Sequence, residues 1–296
     1  MAITPRIPGN KLNLVLDGQP ASPLRSLQPP AYRLDRSNSA QPGGGVIRAG
    51  TAVTPGEMAA EFGLEQPGPP RDWAVRFAGG DLAPQSGVAQ VCDFNMALRR
   101  SLAFEGAEIT QLRLPSLSAS DGRTALVLGL TWRMQAFRDS VGDGHTVAVS
   151  GGRAKAMLAS NFRVSGLPFD SAGILRVGLP LLRRADAATD PRQPRSKAGA
   201  LDLGELALTM GMRSHDQALA WVQKVAADGQ LADTERLDIV VELLDATLKT
   251  VLASVKLQAC SLLACDESLL DMASETPPSL VLRFAVAAVA LSFGKG

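Results

Sequence analysis

Few residues in this 296-residue chain are of the kinds that move protons, hold metals or attack substrates. There are two histidines, His145 in a glycine-rich stretch and His215 near the start of a helical pattern. They lie far apart, form no ligand pair by spacing, and are read as solvent-exposed. Cys260 and Cys265 have four residues between them but no second pair nearby, and the strong zinc signature needs two such pairs. Buried free thiols, in a strand and the turn after it, are the expectation. Gly43-Gly-Gly45 runs into Val46-Ile-Arg48 and so lacks the lysine and hydroxyl of a phosphate-cradling loop. Gly151-Gly152-Arg153 reads as linker rather than an anion-binding nest. Asp266-Glu267 reads as a pair of turn residues, not as a carboxylate pair with separated pKa values. No Gly-x-Ser-x-Gly nucleophile turn is present. The sequence therefore predicts no catalytic, cofactor-binding or metal-binding residues, and nothing in it argues for an enzyme.

The elements that carry these residues come in two copies. Shifting the chain against itself by 148 residues superposes Asn13 on Asn161, Gly18 on Gly166, Pro20 on Pro168, Gly63 on Gly211 and Trp73 on Trp221. The same shift lays Phe104, Ala107, Ile109, Leu112 and Leu114 over Leu252, Val255, Leu257, Cys260 and Leu262. The last strand drifts, with Ala125-Leu-Val-Leu128 best matching Ser279-Leu-Val-Leu282 at a larger separation. A repeat of this kind must be found before the fold is read.

Each copy follows one plan. A strand (Leu12 to Leu16; Phe162 to Val164) enters a Gly-x-Pro turn, where glycine permits positive φ and proline ends the ladder. A long irregular excursion follows, Pro29 to Gly50 in one copy and Arg183 to Lys197 in the other. A strand and a helix come next, the helix opened by Asp72 in copy one and N-capped by Ser214 in copy two. Trp73 and Trp221 lie on apolar helix faces and are read as core. Alternating strands close each copy: Val88 to Leu98, Leu102 to Leu114 and Ala125 to Trp132, then Leu237 to Leu244, Leu248 to Leu262 and Leu280 to Phe293. The expected fold is mostly β with one helix per domain: a tandem pair of β-barrels or sandwiches. Domain one spans 1–140, a linker 141–155 and domain two 156–296.

Composition excludes several classes. Lys+Arg at 30 against Asp+Glu at 29 leave a net charge of +1, too little excess to drive unspecific nucleic-acid binding. The basic excursion Arg183 to Lys197 carries no aromatic residue for base stacking. At 46% hydrophobic and 20% charged, the chain can build a core. No run reaches the roughly 18 apolar residues that span a bilayer, and residues 1–10 lack a signal-peptide core. A soluble product made in the cytoplasm is expected.

Phe104-Glu-Gly-Ala-Glu-Ile-Thr-Gln-Leu-Arg-Leu-Pro-Ser-Leu-Ser-Ala-Ser120 resembles the strand-and-turn signature of the phage tail tube protein family. That family includes tube proteins of contractile tails, contractile injection systems and type VI secretion. Asn13-Leu-Val-Leu-Asp-Gly18, the Asp72-Trp73 helix start and the closing strand at Ala125 to Leu130 are also similar. Ser118 stands where the family usually has Asp, and this chain has twice the usual length. The resemblance covers 12–138 and, more weakly, 158–296. It implies a small β-barrel with a flanking helix, six of which ring a central channel, with no catalytic residues.

The expected function is structural: part of a ring or tube in a phage tail or phage-like contractile injection particle, as tube, initiator or hub piece, or cap adaptor. Its partners would be further copies of itself and neighbouring tube, hub or sheath proteins, with DNA or effector cargo only as channel contents. Two barrels per chain favour a trimer with pseudo-sixfold symmetry over a hexamer. The two excursions are expected to make contacts between subunits or rings. The alternative in a different class is a β-sandwich pair binding protein or carbohydrate without assembling, for which 4% aromatic residues supply little material.

Overall fold

Alternation of apolar and polar residues, as in Leu102-Ala-Phe-Glu-Gly-Ala-Glu-Ile109, is the period of a half-buried strand, and strands dominate the molecule. The computed structural model describes residues 11–21, 24–39, 46–65, 67–148, 156–184, 201–227, 236–267 and 279–294. In chain order the first unit comprises β1 (Lys11–Leu16), β2 (Gln19–Pro20), β3 (Leu24–Gln28), the hairpin β4 (Tyr32–Ser39) and β5 (Val46–Pro55), and β6 (Met58–Gly63). It continues with α1 (Pro69–Ala78), β7 (Gln85–Cys92), β8 (Leu98–Arg113), β9 (Ser116–Ser118), β10 (Val127–Arg133) and β11 (Ala136–Val141). The second comprises β12 (Phe162–Ser165), a 3-10 turn at Ser171–Gly173, β13 (Ile174–Gly178), β14 (Leu181–Arg184), β15 (Leu201–Leu203) and β16 (Leu206–Met210). It ends with α2 (Met212–Ala227), β17 (Leu237–Leu244), β18 (Val251–Glu267), β19 (Leu280–Ala285) and β20 (Ala288–Phe293). The fold is thus mostly β, with one α-helix among the described residues of each of two tandem units.

Strand pairing follows the same order in both. The first unit runs β1-β7-β8-β10-β6-β3 with β11 also on β8; the second runs β12-β17-β18-β19-β16-β13 with β20 also on β18. All these pairs are antiparallel. Even the irregularities coincide. β8 is bulged at Thr110 opposite the Thr131/Trp132 step, and β18 at Leu263 opposite Arg283 and Phe284. The turn into each long strand is also shared. Met96 and Leu248 both adopt positive φ, and each donates its N–H to the carbonyl of an aspartate three residues earlier, Asp93 or Asp245.

The register corrects the constant shift of 148. That separation holds from β6 to β16, where Met58 faces Trp132 and Leu206 faces Phe284. Ile109, across from Trp132, therefore corresponds to Leu262, not Leu257. Two features lie between the anchored parts: α2 is 16 residues long where α1 has 10, and the segment after it is also longer. Everything downstream is displaced.

Helix α1 begins at Pro69, three residues before Asp72, because proline suits the first turn, where no helical N–H bond is lost. Ser214 is not a cap; it lies buried inside α2, and its Oγ accepts the Gly173 N–H at 3.2 Å. The first excursion is not irregular where it is described, since β4 and β5 pair through it. Of the second, β14 includes Arg183 and Arg184, while 185–197 lies outside the described residues, as does 40–45. The expected linker is tied down along its first half. Leu98 donates to His145 O and Val147 to Met96 O, and Val147 is buried; residues 149–155 lie outside the described residues.

Trp73 of α1 packs on Trp132 at 5.8 Å between centroids, and Trp221 of α2 on Phe284 at 6.4 Å. Trp73 is core, as expected, whereas Trp221 is only half-buried and packs against the core from its margin. Most buried apolar residues of the two units form one continuous cluster, from Leu14 through Leu112 and Leu182 to Leu291, and Cys92, Leu98 and Val147 form a small second one.

Candidate assembly interface

The two units join by exchanging strands. β7 flanks one edge of β8 only as far as Ala107, which faces Gln85. Beyond it β8 carries on with that edge uncovered, and β14 of the second unit fills the gap. Leu181 pairs with Arg113, Leu182 with Leu112 and Arg183 with Gln111. In return β9, just after β8, pairs with the outer edge of β13 through Ser116–Gly178, Leu117–Val177 and Ser118–Arg176. Leu182, Leu112, Leu117 and Val177 are all fully buried. Each such side chain contributes about 1.5–3 kcal/mol when removed from water.

Polar contacts fix the register. Arg184 Nη1 donates to Glu108 Oε2 at 3.0 Å, and the arginine side chain is only 5% exposed. Glu108 is also paired with Arg133 at 3.3 Å. At a separate contact between the units Arg71 of α1, buried and donating to Leu64 O, lays its guanidinium over the Phe293 ring of β20 at 4.9 Å. Residues 156–160 reinforce the seam: Leu126 donates to Met157 O, Ala159 to Thr124 O and Ser118 to Ala159 O.

The residues with chemical potential stand elsewhere and apart. His145 is exposed and bonded to Asp143 at 2.5 Å. His215 is not exposed as expected but buried at 7%, because it lies on the α2 stripe with Ala218, Val222 and Val225. It bridges Asp216 at 3.1 Å and Glu267 of β18 at 3.0 Å. The hydrogen bond to Asp216 raises its pKa above the usual imidazole value; Glu267 adds to the rise and burial opposes it. Cys260 is buried as expected, its thiol pushed up to about 11 by burial. Cys265, half-buried, lies in β18 rather than in a turn. Asp266 and Glu267 are likewise strand residues, paired with Arg283 and His215 respectively. Long β18 absorbs all three because it runs well past the end of β17. Among the described residues no group of three or more His, Cys, Asp or Glu could hold a metal.

A groove of about 440 Å³ crosses the β3-β6-β10-β8 face, lined by Ser26, Glu61, Gln111, Arg113 and Thr131 among others. The Arg113–Glu61 ion pair lies in it, and no histidine or cysteine among the described residues lines it. No helix among the described residues is long and apolar enough to cross a membrane.

Several solved structures contain a chain similar to about half of this one. A chain of the anti-feeding prophage baseplate is 14% identical with a TM-score of 0.38, covering 48% of this chain and 98% of its own. The sheath/tube terminator of an extracellular contractile injection system is 14% identical with a TM-score of 0.39, covering 47% and 100%. The tube-terminating cap of the anti-feeding prophage is 16% identical with a TM-score of 0.36, covering 51% and 97%. No family model matches the sequence, and no curated protein matches it.

The strand exchange was invisible in the sequence. Leu182 and its partner Leu112 are seventy residues apart, and neither the charge pattern nor periodicity links them. His215 was findable, since its helical spacing to Ala218 and Val222 puts it on the apolar stripe.

Proposed function

We propose that this chain is a structural component of a phage tail or phage-like contractile injection particle, forming part of a ring around a central channel. In this reading the domains are 1–140 and 156–296, two copies of one barrel joined by 141–155, and they sit as neighbours around the ring. The observation that supports it is the junction itself. β14 and β9 join the units edge to edge, as adjacent members of a ring of barrels would be joined. Covalent linkage raises the effective concentration of one neighbour for the other and favours such a junction.

Three chains would supply six barrels, so a trimer with pseudo-sixfold symmetry is favoured and a hexamer is second. Neighbouring tube, hub or sheath proteins would stack on the ring, with DNA or effector cargo confined to its channel. The chain works through surfaces and needs no catalytic group. Electron microscopy of the purified protein should show rings or stacked tubes, and native mass spectrometry a mass near three times 31.0 kDa. A monomer at high concentration by both methods rejects the reading.

A further inference from the structure

The junction inside the chain has a second, empty copy at its ends. Equivalent positions follow from the shared register. Gly56 donates to Ala31 O at 2.7 Å just as Gly204 donates to Leu181 O at 2.8 Å. Ala31 therefore corresponds to Leu181, and Tyr32 to Leu182. Across the sheet, Ala60 faces Leu130, which faces Leu112, while Leu208 faces Leu282, which faces Cys265. Cys265 is thus the counterpart of Leu112, and Asp266 of Arg113.

These counterparts are open where the originals are filled. β17 flanks β18 only as far as Cys260, so the edge at Ala264, Cys265 and Asp266 has no strand on it among the described residues. In the first unit that place is taken by β14. Tyr32 is 57% exposed where Leu182 is fully buried. Val141 is 92% exposed, and its counterpart is Phe293, which lies under Arg71. The outer edge of β3 is bare among the described residues, whereas the matching edge of β13 carries β9. Three features that the second unit covers by leaning on the first are left uncovered on the first.

We infer that the first unit of a second copy of this chain docks on the second unit, adding β4 to the free edge of β18 with Tyr32 opposite Cys265 and Ala31 opposite Asp266. Val141 of the incoming copy then meets α2 near Leu219, the counterpart of Arg71. The ion pair of the internal junction is not repeated, because Leu34 and Ser261 stand at the places of Arg184 and Glu108. The external junction rests on apolar packing and backbone pairing, and an open strand edge is a ready template for pairing with another chain. The contact is head-to-tail, which closes into a ring or runs on as a filament according to its rotation. This deepens the assembly reading above and rests on it.

The test uses the native cysteine. Antiparallel partners lie about 4.5–5.5 Å apart at Cα, within disulfide reach. Oxidised Tyr32→Cys protein should run on a non-reducing gel as a ladder of multiples of 31.0 kDa, and adding Cys265→Ser should abolish the ladder. A second pair, Ala31→Cys with Asp266→Cys in a Cys265→Ser background, should crosslink equally. If native mass spectrometry shows assemblies and neither pair crosslinks, this interface is overturned while the ring reading stands. If the unmodified chain is monomeric throughout, both fall.

Discussion

Phe284 stands in the second unit where Trp132 stands in the first. Each lies opposite the first residue of the strand before its helix, Leu206 or Met58, and each receives the helix tryptophan on its ring. Trp132 differs in that its Nε1 is buried with no hydrogen-bond partner among the described residues.

Trp132→Phe should therefore be tolerated. It removes an unsatisfied N–H, which offsets part of the lost packing, and should cost less than about 1.5 kcal/mol. Trp132→Ala leaves a cavity against Trp73 and Phe104 and should cost about 3–5 kcal/mol. Chemical denaturation of the two variants measures the difference.

Stability should depend on pH through His215. Its folded-state pKa is raised by Asp216 first and Glu267 second. A raised value means that the folded state holds the proton more tightly. The contribution is complete below the ordinary imidazole pKa near 6.5 and is lost as pH rises through the higher folded value. The melting temperature should fall over that window, and His215→Gln should flatten the slope.

The two turn glycines should respond unequally to alanine. Gly18 and Gly166 both have positive φ, at 77° and 89°, which costs a side chain about 1–2 kcal/mol. A Cβ at Gly18 meets nothing within 4 Å among the described residues, whereas one at Gly166 falls 2.0 Å from Asp238 O. Gly166→Ala should lower the melting temperature well below that of Gly18→Ala.

At the internal seam, removing the acid should hurt more than removing the base. Glu108→Ala strands the buried Arg184 guanidinium and should cost about 2 kcal/mol or more. Arg184→Met fills the same space and leaves Glu108 with Arg133, so its cost should be the smaller of the two. Paired thermal melts decide the order.

The strands and both helices were legible because their apolar periods are clean, as at Leu102 to Leu114. The repeat was legible from Trp73 and Trp221, which sit on parts separated by one constant shift. Beyond α2 the shift changes, and the apolar residues of β18 alternate so regularly that a wrong register matched nearly as well as the right one. Asp93-Phe-Asn-Met96 and Asp245-Ala-Thr-Leu248 would have fixed it. Each aspartate carboxylate accepts backbone N–H groups of its own turn, Ala97 in one and Lys249 in the other. The seam was not legible, since pairing Leu112 with Leu182 depends on β8 outrunning β7, a fact of the folded sheet alone.

Strand exchange also bears on how the chain is made. When the first unit leaves the ribosome, β8 presents a bare edge beyond Ala107 and an uncovered Leu112, and β9 has nothing to pair with. Both wait until residues 174–184 have been synthesised. For that interval the nascent first half is a sticky template, able to seize the same segment from a chain on a neighbouring ribosome. Slower synthesis through 142–184 should therefore lengthen the interval in which such capture competes with closure of the chain on itself.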